Sequence, residues 1–232
     1  MSNNPRRVAV VLCGCGRGDG SEIHESSAVI INLSRAGAEI SMFAPNMEQY
    51  HVIDHHAGTV DEGKARNMMI EAARIARGEI FPLNDLEPEN FDAIIFPGGA
   101  GVGKNLCNFA TNKEDFMVLP EVEKIIRAFH RAKKPLGFVC ITTVIAAKIF
   151  GELGCELTIG NDTPQSGRWP LASTTKILEN LGVVHVNKDV TEAHVDQNNK
   201  IVTTPAFMCG TAKYHEVFDG ISELVKNVME LA

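Results

Sequence analysis

Three apolar runs, each stopped abruptly by cysteine or by Pro-Gly-Gly, constrain this chain more than any other feature. Val8 to Leu12, Phe91 to Phe96 and Leu136 to Val139 are short, dominated by apolar residues and rich in β-branched or aromatic side chains. Such runs are expected of central parallel strands that are buried on both faces. Between them lie segments of helical period. From Ser21 to Arg35 the apolar residues Ile23, Ile30 and Leu33 recur, with Asp19 or Ser21 placed to cap the start and Gly37 to end it. Leu119 to Arg131 carries Val122, Ile125, Ile126 and Phe129 at helical spacing before Lys133-Lys134-Pro135 stops it. Ala38 to Ala44 closes a first β-α-β unit, a helix is expected from about Lys64 to Arg77, and a final amphipathic helix spans about Thr211 to Glu230.

Strands alternating with helices predict an α/β fold, a right-handed doubly wound, mostly parallel sheet with helices on both faces. Short strands at 156–159, 183–186, 191–195 and 200–204, the last two joined by a turn at 196–199, predict a small antiparallel extension. No internal repeat or long linker divides the 232 residues, so a single domain over 1–232 is expected, with an insertion at about 45–80.

Charge narrows the partners. Lys and Arg number 22 against 29 Asp and Glu, a formal net charge of -7 with no basic block, which argues against nucleic acid and anionic membrane surfaces. The run after Met1 to Arg7 is too short for a signal sequence or a membrane span, giving the expectation of a cytoplasmic protein. Six irregularly spaced cysteines, without a CxxC pair, read as reduced thiols.

In an open parallel sheet, ligands collect beyond the carboxyl ends of the strands. Three strand ends therefore stand out: 13–20, Pro97 to Gly103, and Cys140. Cys140 lies between a strand and a helix, where free amides at the helix start favour a thiolate. A buried structural cysteine fits that position equally well. Glycines 98, 99, 101 and 103 let backbone N–H groups face a ligand oxygen, or they form a tight turn with no ligand. Glu22 and Glu25 share one helical face near the crevice, either as proton carriers of raised pKa or as acids favoured by the helix dipole.

Other motifs point away from cofactors. Asp19 occupies the place of the third glycine in a dinucleotide fingerprint, and Asn105 after Lys104 breaks the phosphate-loop pattern, so no cofactor is expected. His51, His55 and His56 lack clean ligand spacing and read as a polar surface loop; no metal is expected. His194 and Asp196 are expected as an exposed pair.

Taken together, Gly20-Ser21-Glu22-Ile23-His24-Glu25, Phe96-Pro97-Gly98-Gly99, Lys104-Asn105-Leu106 and Gly137-Phe138-Val139-Cys140-Ile141 resemble the class I glutamine amidotransferase-like superfamily, in its PfpI-like branch. Ala44-Pro45, 74–80 (Arg-Ile-Ala-Arg-Gly-Glu-Ile) and Val202-Thr203-Thr204-Pro205-Ala206 resemble more narrowly the ElbB family, named for enhancing lycopene, an isoprenoid. The resemblance implies a flavodoxin-like sheet with a nucleophile elbow at Cys140, a glutamate against the sulfur at Glu25, and an oxyanion and substrate site at Gly98, Gly99 and Ile141. It further implies a homodimer with glutathione-independent glyoxalase (lyase) activity on small carbonyl substrates. One departure matters: Leu157 to Asp162 contains no histidine where many members place one. Residues 140–143 also lack the usual Ala-Pro or Gly-Pro.

The resulting expectation is a cofactor-free glyoxalase in which Cys140 adds to an aldehyde and Glu25 relays a proton, with His24 and Glu22 as accessory groups. The alternatives are a non-catalytic redox or metabolite sensor using the same cysteine and, further off, a glutamine amidohydrolase.

Overall fold

The computed structural model describes residues 4–232; Met1 to Asn3, at the head of the amino-terminal segment discussed above, lie outside the described residues. The central sheet has seven strands, and its middle is built from the three apolar runs. β1 (Arg7–Val11) lies between β2 (Glu39–Ala44) and β6 (Ala93–Phe96), and β6 pairs in turn with β7 (Leu136–Val139). Beyond β7 come β11 (Ile201–Thr204) and the antiparallel β10 (His194–Asp196); beyond β2 lies the two-residue edge strand β5 (Phe81–Pro82). Within this sheet every pairing except the edge β10–β11 ladder is parallel, as the flavodoxin-like expectation requires. Every residue of β6, β7 and β11 is buried, which is why β6 and β7 read as continuous runs without polar side chains rather than alternating ones.

Helices form where an apolar stripe coincides with a cap. α5 (Pro120–Arg131) begins on a proline, whose missing N–H costs nothing in a first turn. It buries Val122, Ile125, Ile126 and Phe129, the four residues picked out by spacing, each contributing roughly 1.5–3 kcal/mol. Lys133, left-handed at φ 56°, ends it while the Lys134 amide donates back to Phe129. α1 (Ile23–Arg35) is capped by Glu22, not by Asp19 or Ser21: the Glu22 carboxylate accepts from the Glu25 amide at 2.7 Å. α8 (Tyr214–Leu231) packs along α1 and against β7 and β11.

The insertion at 45–80 is more ordered than a polar loop. It carries a short hairpin, β3 (Ile53–Asp54) with β4 (Thr59–Val60), and a single-turn α2 (Met68–Ala72). That helix is shorter than the expected 64–77 because Asn67 caps it, accepting from the Met69 and Ile70 amides, and Arg77 turns left-handed at φ 56°. Short helices α3 (Val102–Asn105) and α4 (Phe109–Asn112) follow β6, and α6 (Thr143–Phe150) follows β7. The strands at 156–159 and 183–186 shrink to β8 (Glu156–Leu157) and, after α7 (Thr174–Asn180), β9 (Val184–His185); they pair with each other outside the central sheet. His194 and Asp196 are not an exposed pair. Asp196 is buried, accepting from the Glu156 amide at 3.0 Å and the Asn199 side chain at 2.7 Å, and so ties β8 to the sheet edge.

Candidate active site

The carboxyl ends of β1, β6, β7 and β11 open onto one cavity of about 340 Å³. The loop after β1 contributes Arg17, Glu22 and Glu25; the loop after β6 contributes Gly99 and Ala100; the end of β7 contributes Cys140 and Ile141; and the turn after β11 contributes Phe207 and Met208. The crevice rule for parallel sheets thus places the site, because only there do four strand-end loops converge.

Cys140 sits at a left-handed φ of 61°, a conformation that costs a non-glycine residue free energy and that turns its side chain from the strand into the cavity. A single helical turn at 140–142 leads from it into α6. Thr142 fixes that turn. Its hydroxyl bridges the Val139 carbonyl at 2.7 Å and the Phe96 carbonyl at 3.0 Å, clamping the elbow to the end of β6. Beneath it the Phe96 and Phe138 rings stack at 5.2 Å.

Glu25 is fully buried and faces the sulfur. One oxygen, Oε1, accepts from the Phe207 amide at 3.3 Å. The other, Oε2, has no partner of good hydrogen-bond geometry, although the Cys140 thiol and the Gly98 amide lie close enough to act on the carboxyl. Burial, reinforced by the neighbouring Glu22 carboxylate, pushes the Glu25 carboxyl up to about 8, so at neutral pH it holds a proton.

The thiolate expected from the helix start is corrected by the structure. Burial first, and then the Glu25 carboxylate, push the Cys140 thiol well above its ordinary range; the amides of Ile141 and Gly99 oppose them and are outweighed. Desolvation wins because Cys140 is only 6% exposed and the following helical turn is short. The resting pair is a neutral thiol against a carboxylic acid.

Two glycines have assignable reasons. At Gly98 a Cβ would fall 2.5 Å from Glu25 Oε2 and 2.6 Å from Cys140 Cβ. Gly99, at φ 119°, needs its conformation, and a Cβ there would meet the Glu22 nitrogen and Gly20 oxygen at 2.6 Å. Their amides divide the work differently from the expected joint oxyanion site. The Gly98 amide is turned to Glu25 and its carbonyl accepts from the Glu22 amide, leaving Gly99 and Ile141 to face the sulfur.

Glu22 lines the cavity, with Oε1 2.9 Å from His24 Nδ1. His24 is largely exposed, lies against the Tyr214 ring, and borders the site through Glu22 and an edge contact with the Phe207 ring. Among the described residues no histidine lines the cavity. At 157–162, where the superfamily histidine is missing, the Trp169 indole packs on Gly160 and the Ile159 amide donates to His185 Nε2 at 3.3 Å. The other histidine-bearing segment is structural: the Gly18 amide donates to His55 Nε2 at 3.0 Å and Asp19 accepts from the Ile53 amide, pinning the hairpin over the first loop. Among the described residues no group of three or more His, Cys, Asp or Glu is placed to hold a metal ion.

Sequence reasoning passed over several residues that shape the site. Thr142, Phe207, Met208, Arg17 and Lys113 carry no local motif. Asn105 was visible only as part of a phrase; its amide donates to the Cys13 and Asp19 carbonyls at 3.0 and 2.8 Å and braces the first loop.

A parallel sheet whose strand ends hold a left-handed cysteine against a buried acid defines the nucleophile-elbow class of α/β proteins. Comparison with known proteins narrows the class. No protein-family model matches the chain. It is 52% identical over 225 residues to the human glutamine amidotransferase-like class 1 domain-containing protein 3, mitochondrial, covering 97% of this chain and 83% of that protein. It is likewise 52% identical to the rat ES1 protein homolog, mitochondrial, covering 99% of this chain and 86% of the relative. A solved structure from Ehrlichia chaffeensis, described as an isoprenoid biosynthesis protein with an amidotransferase-like domain, superposes with a TM-score of 0.85 at 32% identity over 97% of this chain and 100% of that one. The chain belongs to the ES1 family of glutamine amidotransferase-like class 1 proteins. The expectation of a cytoplasmic protein is corrected by the same relatives, which are named as mitochondrial.

Proposed function

We propose that this protein is an ElbB-type, glutathione-independent glyoxalase that converts a small dicarbonyl to a 2-hydroxy acid through Cys140 and Glu25. The observation that carries the reading is Glu25 Oε2, a fully buried carboxylate oxygen without a settled partner, held against a nucleophilic sulfur. The Ehrlichia chaffeensis protein supports the ElbB-type assignment.

The chemistry follows from that pair. As the sulfur adds to one aldehyde carbon, the Glu25 carboxylate takes the thiol proton and passes it to the carbonyl oxygen, giving a hemithioacetal. Glu25, ionised again, removes the hydrogen from that carbon, and the electron pair forms an enediol. Returning the proton to the second carbon, while the hydroxyl proton of the first carbon passes to the second oxygen, gives a thioester, which water cleaves to free thiol and 2-hydroxy acid. Glyoxal plus water becomes glycolate, with no external oxidant or reductant. The amides of Gly99 and Ile141, which act on the sulfur, are the groups this reading assigns to stabilise the developing oxyanion.

A free thiolate is not required, because the proton leaves the sulfur as the carbon bond forms. A peroxide sensor does require one, so the raised thiol pKa weighs against the redox alternative. The test is glycolate formation from glyoxal by the parent, Cys140→Ala and Glu25→Gln proteins. The parent rate should climb with pH to a midpoint near 8, where Glu25 ionises, and each substitution should cost at least about 100-fold. Unchanged turnover in Cys140→Ala would overturn the mechanism.

A further inference from the structure

The cavity is larger and differently charged than glyoxal needs. Its volume of about 340 Å³ lies in the range that holds drug-sized ligands, and Phe109, Ala110, Leu171, Phe207 and Met208 make much of its wall apolar. The cations outnumber the carboxylate charge. With Glu25 protonated at neutral pH, Glu22 is the one carboxylate charge on the lining, its Oε1 held by His24 and its Oε2 by the Glu25 amide.

Two exposed cations also line the cavity, Arg17 and Lys113. Among the described residues neither forms an ion pair. The Arg17 carbonyl accepts from the Gly101 amide at 3.0 Å, tying this residue to the loop that carries Gly99. The Lys113 ammonium lies 5.5 Å from the centre of the Phe109 ring, on the cavity wall. In a chain of net charge -7, two uncompensated cations at one opening create a local field of the opposite sign, which selects anions.

We propose that the natural substrate is an anionic carbonyl compound with an apolar body, its carbonyl carbon at Cys140 and its carboxylate or phosphate at Arg17 and Lys113. This rests on the reading of Cys140 as the group that adds to a carbonyl. It differs in predicting that glyoxal is a minimal substrate that leaves the cationic end of the cavity unused.

The experiment measures protection of Cys140 against iodoacetamide, followed by mass spectrometry at pH 7, where Glu25 still holds its proton. Three aldehydes of similar shape serve as probes: 4-formylbenzoate, 4-formylphenyl phosphate and neutral 4-(hydroxymethyl)benzaldehyde. At least one anionic probe should protect at a concentration at least about 10-fold lower than the neutral one, and the better of the two identifies the oxyanion. That advantage should vanish in Arg17→Gln/Lys113→Gln and in Lys113→Glu, whose folding is checked by circular dichroism. Equal protection by charged and neutral probes, or an advantage that survives both variants, overturns the inference. Glyoxal turnover is measured alongside. Its absence with the charge preference intact removes the glyoxalase reading alone, whereas turnover with equal protection removes the anion selectivity alone.

Discussion

Glu25 and Cys140 meet across the missing side chain of Gly98, with Glu25 Oε2 2.5 Å and Cys140 Cβ 2.6 Å from the point a Cβ there would occupy. Gly98→Ala is therefore expected to separate the acid from the sulfur. The methyl group would also press on the Val139 carbonyl at 2.8 Å, and backbone does not yield cheaply. The expected cost is about 1–3 kcal/mol of stability with loss of glyoxal turnover, read by denaturant unfolding beside the activity assay. Full activity in the alanine variant would contradict the packing described.

Glu25 makes stability depend on pH in a direction opposite to most acids. Its carboxyl titrates at about 8 in the fold against 4.5 for the free group, so between those values the native state binds more protons than the unfolded chain. Stability is fully present below about pH 4.5 and falls as pH rises to about 8. The linked loss approaches about 4 kcal/mol for a buried group shifted this far. Glu25→Gln should remove that slope and be the more stable protein at alkaline pH. Parallel stability curves for parent and variant from pH 5 to about 9 would refute it.

The thiol gives the complementary measurement. Alkylation of Cys140 in the parent should still be rising where an ordinary thiol, with a midpoint of about 8.5, has levelled off. Because the Glu25 carboxylate is one cause of the elevation, Glu25→Gln should move the alkylation midpoint downward. A midpoint already below that of a free thiol in the parent would show that the helix start, rather than burial, governs the sulfur.

Thr142→Val tests the clamp. Valine matches threonine in shape but leaves the Phe96 and Val139 carbonyls without the hydroxyl they share, a loss of about 1–3 kcal/mol. Turnover should drop further than stability alone explains, since the elbow is no longer fixed to β6. Thermal unfolding and kcat, measured separately from KM, distinguish the two effects.

The sheet was readable because its central strands are buried on both faces: Val8 to Leu12, the Phe91 to Phe96 run and Leu136 to Val139 carry that environment in their composition. α5 was readable for a similar reason, since all four of its buried residues fall on one helical stripe. The site was half readable. Cys140 and Glu25 each stand at a recognisable strand or helix end, but the Phe207 amide that holds Glu25 lies 182 residues away in sequence and donates through its backbone, which no side-chain pattern records. Ionisation was the least readable property. The helix start argued for a thiolate from adjacent residues, while the desolvation that outweighs it comes from four loops that meet only in the folded chain. Pairing of β8 with β9 escaped for a simpler reason: two-residue strands have too few positions to show a period.

The left-handed backbone at Cys140 implies a conflict between endurance and chemistry. Glycine would occupy that conformation without strain, so Cys140→Gly should relax the elbow by about 1 kcal/mol even as it deletes the reactive atom. The bend therefore concentrates backbone strain at the one residue whose sulfur the four strand-end segments enclose.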